Sequence, residues 1–256
     1  MMSKILKRLA QIELNQTFIE AFDLPATLIQ IQADLHPGQL DFVNDHTTQI
    51  LGVSAGYGAG KTRALCAKAV SLAAANQGFI GLVMEPTGPL IRDIWQNDFD
   101  DFLESYSIPY TFRASPLPEY VLHLPLGDTK ILCRSFENWQ RCIGINAAWC
   151  LCDELDTVMP AIANKAFPKI LGRLRAGNIR QFAVASTPEG FRWMFNTFAS
   201  EDALTRTDRK LIKMRTQDNP HLPPFARPSS IAARRAVSNS VPCPFLALLI
   251  HALTAG

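Results

Sequence analysis

Residues 55–62 read Ala55-Gly-Tyr-Gly-Ala-Gly-Lys-Thr62. Before them runs the apolar, strand-like Gln49-Ile-Leu-Gly-Val-Ser54. After them Leu65, Ala69 and Leu72 recur at helical spacing in a segment from Lys61 to about Ala75. A glycine-rich turn between a strand and a helix is the setting in which a phosphate-binding loop works. Glycine lets successive backbone N–H groups turn toward one ligand, and the helix N-terminus adds partial positive charge. Gly56, Tyr57, Gly58, Ala59 and Gly60 form the cradle, with Ala55 where the pattern usually has its first glycine. Lys61 would reach the β- and γ-phosphates of a nucleotide, and the Thr62 hydroxyl would bind Mg²⁺. With Ala allowed at the first position, average residue usage gives roughly 0.02 chance matches in a chain this long.

Strand-like and helical stretches alternate outward from this loop. Phe79-Ile-Gly-Leu-Val-Met84 reads as a second buried strand ended by Pro86, and Leu90 to Ser105 as a helix. Tyr120–Leu124 and Lys130–Cys133 read as two strands about a turn at Gly127-Asp128. Trp149-Cys-Leu-Cys152, Gln181-Phe-Ala-Val-Ala185 and Leu211–Arg215 follow as further strands. Such alternation predicts an α/β fold with a mostly parallel central sheet and helices on both faces. The 256 residues, 48% hydrophobic and 19% charged, suffice for a real core and exclude disorder throughout.

In a parallel nucleotide-binding sheet the ligand sits at the carboxyl ends of the strands, and two more motifs fall there. Ala148-Trp-Cys-Leu-Cys-Asp-Glu154 delivers two adjacent carboxylates. Asp153 would bind Mg²⁺ through water, and Glu154 would polarise an attacking water as general base. Gln181-Phe-Ala-Val-Ala-Ser-Thr-Pro-Glu-Gly190 ends in Ser186, Thr187 and Pro188. The hydroxyls of Ser186 and Thr187 are placed either to sense a γ-phosphate and pass its state onward or to cap the turn before a helix near Phe191. Upstream, Gln39 follows the Pro37-Gly38 turn. Its two-sided amide suits an adenine edge, although a lone surface glutamine reads the same way.

A net charge of +2 is too small to advertise a polyanionic partner, but it is unevenly spread. No Asp or Glu follows Asp218, whereas Arg227, Arg234 and Arg235 do, so this stretch carries +3 and residues 1–218 carry −1. Six of the 17 prolines lie there as well. The six cysteines show no C-x-x-C pair or zinc spacing, which fits a reducing, intracellular setting. The N-terminus reads as an amphipathic helix with Ile5, Leu6, Leu9 and Ile12 on one side. No apolar run approaches the roughly 18 residues of a membrane span.

In this order the motifs resemble the ATPase domain of the large subunit of tailed-phage terminases, from about Ala33 to Pro223. The resemblance rests on LHPGQLDFVND, SAGYGAGKT, SFENWQRCIGINAAWCLCDELD, ASTPEGFRWMFNTF and TQDNPHLPP. It implies a RecA-like P-loop core, ATP and Mg²⁺, a homo-oligomeric ring on a portal protein, a terminase small subunit and double-stranded DNA, all in the host cytoplasm. Lys61, Thr62, Asp153, Glu154 and the Ser186-Thr187-Pro188 triplet inherit the roles above by position. The family also leads one to expect an arginine that reaches a neighbour's γ-phosphate, with Arg141 the first candidate and Arg175 the second. Two departures stand out. Tyr57 replaces a basic residue common in the loop, and the acid-free last 38 residues hold no carboxylates for the RNase H-like nuclease with which family members continue. Residues 1–32 are thus expected to be a helical extension and 33–223 the ATPase domain. Residues 224–256 are expected to be an aberrant, disordered tail, frame-shifted near Pro224 as in a prophage remnant. The alternatives are a helicase-like P-loop translocase, for which the chain is short of a second domain, and an inactive remnant that only binds nucleotide.

Overall fold

A computed structural model describes residues 22–187 and 189–222. The expected N-terminal amphipathic helix, Pro188 and the tail from residue 223 lie outside the described residues. Helices α1 (Leu24–Ala33) and α2 (Pro37–Asn44) lead into strand β1 (Ile50–Ala55) and helix α3 (Lys61–Ala75). Strand β2 (Ile80–Glu85) follows, then a turn of helix (Gly88–Leu90), a π-helical stretch (Ile91–Gln96) and helix α4 (Asn97–Ser105). Strands β3 (Tyr110–Arg113), β4 (Glu119–Leu122) and β5 (Thr129–Ser135) precede a 3₁₀ segment (Phe136–Cys142) and strand β6 (Trp149–Asp153). A 3₁₀ turn (Leu155–Thr157), helix α5 (Pro160–Leu171), strand β7 (Gln181–Ser186), helices α6 (Trp193–Phe198) and α7 (Glu201–Leu204) and strand β8 (Arg209–Met214) complete the order.

All eight strands form one sheet in the order β3-β4-β5-β2-β6-β7-β1-β8. From β5 to β8 every pairing is parallel, and β4 pairs antiparallel with both neighbours. The central strands are buried on both sides, as their unbroken apolar runs require. One face carries Val53, Val83, Leu151 and Ala185 beneath α1 to α4. The other carries Ile50, Leu82, Cys150 and Val184 beneath α5 and α6. Close approach of elements explains two strand glycines. A Cβ on Gly81 would stand 2.1 Å from the Trp149 ring, and one on Gly52 2.6 Å from Phe198.

The predicted strands and helices recur with ends shifted by a residue or two, and the α/β class with a mostly parallel sheet holds. Among the elements that escape the sequence reading are β3 and α5. β3 alternates between half-buried and exposed residues and is only four residues long. α5 hides its buried stripe in Ala163, Ala166 and Ile170 and contains Pro168, which argues against a helix on paper. Helix α1 straddles the expected boundary at residue 33, burying Leu24, Leu28 and Ile31 in the same core as the sheet. Among the described residues no helix is long and apolar enough to cross a membrane.

Candidate functional site

The carboxyl ends of β1, β7, β6 and β2 lie side by side and bring the sequence motifs together. The turn after β1 has φ +72° at Gly58 and +84° at Gly60, left-handed values that glycine adopts without strain. Gly60 then caps α3 at its N-terminus. A side chain at Gly60 would also strike Gln39, whose Nε2 would lie 2.6 Å from a Cβ there. Ala55 is the buried last residue of β1, in extended backbone, so the pattern's first position does not need glycine here. Tyr57 is 78% exposed, with Lys61 Nζ 5.6 Å from its ring centre.

Four side chains brace the loop from outside. Gln39 is buried: its Nε2 donates to Gly60 O at 2.9 Å, while its Oε1 accepts from His36 N at 3.1 Å. His36 Nε2 lies 3.1 Å from Ala59 O. The amide read as an adenine contact thus holds the loop in this structure. The Thr216 hydroxyl donates to Tyr57 O at 2.8 Å and Asn219 Nδ2 to Gly58 O at 2.7 Å. The Thr-Gln-Asp-Asn-Pro segment, 154 residues after Thr62, therefore closes over the phosphate loop.

Lys61 is the meeting point. Its Nζ donates to Thr187 Oγ1 at 2.8 Å and stands 3.3 Å from Glu154 Oε1. Glu154 Oε2 accepts from Thr187 N at 2.9 Å and Ser186 Oγ at 3.2 Å, and its Oε1 from Thr187 Oγ1 at 3.1 Å. This glutamate has φ +45°, ψ +44°, a left-handed conformation that costs a non-glycine residue about 1–2 kcal/mol. Asp153 beside it is buried and accepts from Glu154 N at 3.0 Å. Burial, reinforced by the Glu154 charge, pushes the Asp153 carboxyl up to about 7.

Sequence reading missed two carboxylates. Glu85 ends β2, is 2% exposed, and its Oε1 has no hydrogen-bond partner. Burial and then the charges of Asp153, Glu154 and Asp98 push it up to about 9. Asp156 is fully buried and accepts from Glu189 N at 3.2 Å and Met194 N at 2.8 Å, fixing the chain after β7. The only signal for Glu85 was an acid at the end of an apolar strand, the criterion already applied to Asp153. Asp156 was the unremarked third acid of the Asp153-Glu-Leu-Asp156 run.

The remaining candidates fall elsewhere. Arg141 lies in the last turn of the 3₁₀ segment after β5 and, with Arg92 and Arg134, lines a cavity of about 360 Å³. Strands β2, β6 and β7 separate β5 from β1, which puts these strand ends about 19 Å apart. Arg141 thus stands away from its own chain's phosphate loop. Arg175 bonds Asn146 Oδ1 at 2.9 Å, next to the Ala147–Leu174 bridge ahead of β6, at the opposite edge of the sheet. Cys150 and Cys152 are buried with sulfurs 3.8 Å apart.

No family model and no curated protein matches this sequence. Solved structures do. The large terminase of a thermophilic bacteriophage, in complex with ADP, superposes with a TM-score of 0.62 at 14% identity, over 75% of this chain and 48% of that one. The ATPase domain of the Thermus phage P74-26 large terminase gives 0.55 at 17% identity, over 72% and 82%. The HK97 bacteriophage large terminase gives 0.56 at 16%, over 74% and 40%. The chain thus spans about half the length of the ADP-bound terminase. At these identities the likeness establishes the fold, and this chain has the RecA-like P-loop α/β architecture of phage large-terminase ATPase domains.

Proposed function

We propose that this chain is the ATP-hydrolysing motor domain of a phage DNA-packaging terminase large subunit. The observation that carries the reading is the junction of Lys61, Glu154 and Thr187. There the phosphate loop, the acidic pair and the strand-end hydroxyls, far apart in sequence, touch within 2.8–3.3 Å. The large terminase of the thermophilic bacteriophage, which shares the fold, has been solved with ADP and with ATP-gamma-S.

On this reading the N–H groups of residues 56–60 and the Lys61 ammonium bind the β- and γ-phosphates of ATP. The Thr62 hydroxyl at the start of α3 and the Asp153 carboxylate fit Mg²⁺, a hard cation that prefers oxygen ligands and retains water. Magnesium bound there would neutralise charge on the phosphate oxygens. Glu154 orients a water and accepts its proton on the carboxylate as the water oxygen bonds to the γ-phosphorus. The bond from that phosphorus to the β-bridging oxygen breaks, and ADP leaves with the electron pair. Ser186 and Thr187, bonded to Glu154, are placed to pass the state of the site along β7, with Pro188 completing the coupling motif. Arg141 serves a neighbouring copy's γ-phosphate in a homo-oligomeric ring. Double-stranded DNA, the portal protein and the terminase small subunit are the partners, in the cytoplasm of the bacterial host.

The test is multiple-turnover ATP hydrolysis by the purified chain beside Lys61→Ala and Glu154→Gln. Turnover by the parent, lost in both variants, is expected. Equal inactivity of all three proteins, with ATP still bound by the parent, would reject hydrolysis and leave a nucleotide-binding remnant.

A further inference from the structure

Among the described residues, Glu85 is the one buried carboxylate at the sheet's carboxyl edge that the reading above leaves without a task. Parallel pairing aligns Met84 with Cys152, so the next pair along, Glu85 and Asp153, are neighbours across β2 and β6. Adjacent parallel strands present in-register residues to the same face, about 4.8 Å apart. That face is the one bearing Val83 and Leu151, against which α3 packs. The first turn of α3 holds Thr62, and a cavity of about 370 Å³ lined by Thr62, Cys66, Asp98 and Asp101 opens beside it.

Glu85 is 2% exposed, and its Oε1 has neither a protein partner nor access to solvent. Leaving a buried acceptor unmade is costly, so such an atom points to a partner supplied from outside the chain. Lys61 is engaged with Glu154 and Thr187. Among the described residues, no three His, Cys, Asp or Glu side chains converge closely enough to grip a metal directly. Mg²⁺ keeps several waters and takes few protein ligands, so a buried carboxylate can reach it through one of those waters.

We propose that Glu85 is a positioning residue for Mg²⁺, accepting a hydrogen bond from a metal-bound water on the side of the ion next to Asp153. The proposal rests on the nucleotide-binding reading above, and it assigns a fourth strand end, that of β2, to the metal's surroundings.

The experiment measures binding of a fluorescent ADP analogue to the full chain, first in EDTA and then across a Mg²⁺ titration. The proteins are the parent, Glu85→Gln, Glu85→Asp and Lys61→Ala, with thermal unfolding followed for each. Partners of this kind typically contribute about 10- to 100-fold in metal affinity. Glu85→Gln is therefore expected to need about 10- to 100-fold more Mg²⁺ for half-saturation, with metal-free nucleotide binding changed by less than about twofold. Glu85→Asp, which keeps the carboxyl group on a shorter arm, is expected to fall between parent and Gln. It carries the test if the Gln variant fails to fold. Lys61→Ala is expected to lose binding with and without metal. An unaltered Mg²⁺ requirement in the Glu85 variants overturns the proposal, as does an equal loss with and without metal, the mark of a purely structural role. No nucleotide binding by the parent rejects the underlying reading and the proposal with it.

Discussion

The Thr216 and Asn219 latch yields a quantitative expectation for the phosphate loop. Each side chain donates one neutral hydrogen bond to a loop carbonyl, at 2.8 Å to Tyr57 O and 2.7 Å to Gly58 O. Such bonds contribute about 0.5–1.5 kcal/mol net. These two lie in exposed surroundings, where water competes, so about 0.5–1 kcal/mol each is appropriate. Removing both with Thr216→Ala and Asn219→Ala should cost about 1–2 kcal/mol of local stability, which multiplies the open population of the loop about 5- to 30-fold. Inside the loop, Ala59 N donates to Gly56 O at a long 3.3 Å, so its protection from exchange depends on the loop staying closed. Amide hydrogen exchange read by mass spectrometry on peptides covering residues 55–62 should accelerate by that factor. A peptide from β6 serves as control and should not change, because local opening leaves the central sheet intact. Unchanged loop exchange in the double variant would refute the latch, and acceleration spread equally over β6 would show that the two residues support the whole domain instead.

Two further expectations rest on buried carboxylates. Asp153 and Glu85 are held at about 7 and about 9 against ordinary values of 3.8 and 4.5, so the folded protein keeps their protons to higher pH than the unfolded chain does. Their contribution to stability is complete below pH ~4 and is lost as pH rises through 7 and 9, at no more than about 1.4 kcal/mol per pH unit per group. Urea denaturation of the ligand-free protein should thus show stability falling between pH 5 and 9, and Glu85→Gln should flatten the upper part of that fall. Asp156→Ala orphans the N–H groups of Glu189 and Met194 at a fully buried site and should cost about 2–4 kcal/mol. A midpoint in urea within error of the parent would contradict the role given to Asp156.

The fold was legible because hydrophobic burial and backbone hydrogen bonding act locally on the pattern that was read. Strands β1, β2, β6 and β7 are unbroken apolar runs because both faces of the sheet are covered. The phosphate loop was legible because only glycine takes the φ of residues 58 and 60 at no cost. What stayed hidden depends on contacts between distant residues. Nothing near Gln39 in sequence says that its amide will reach Gly60 across 21 positions, or that Asn219 will reach Gly58 across 161. Glu85 resembles any acid that ends a strand until the order β2-β6-β7-β1 brings it beside Asp153. β3 and α5 were lost for the reverse reason. Their local signals, a four-residue edge strand and a helix with an internal proline, oppose the structure that tertiary packing imposes.

The left-handed backbone at Glu154 connects these observations. A glutamate at φ +45° is strained by about 1–2 kcal/mol, and it persists only if the surroundings hold it there. Three of the four groups that bond its carboxylate belong to Ser186 and Thr187, and the fourth is Lys61. On the proposed reading, a nucleotide bearing several negative charges competes with Glu154 for the Lys61 ammonium. Once that ion pair opens, the end of β7 alone holds the strained glutamate in place. Any shift of Ser186 or Thr187 then moves the base directly, and any change in what Glu154 contacts pulls on β7. The next segment is tied to the same spot, because Asp156, two residues beyond the base, anchors the N–H groups of residues 189 and 194. On the same proposed reading, strain at one residue, shared hydrogen bonds and a single lysine would give a γ-phosphate a short mechanical route out of the site. That route runs through the side of the sheet where β7 and α6 pack, rather than through the phosphate loop itself.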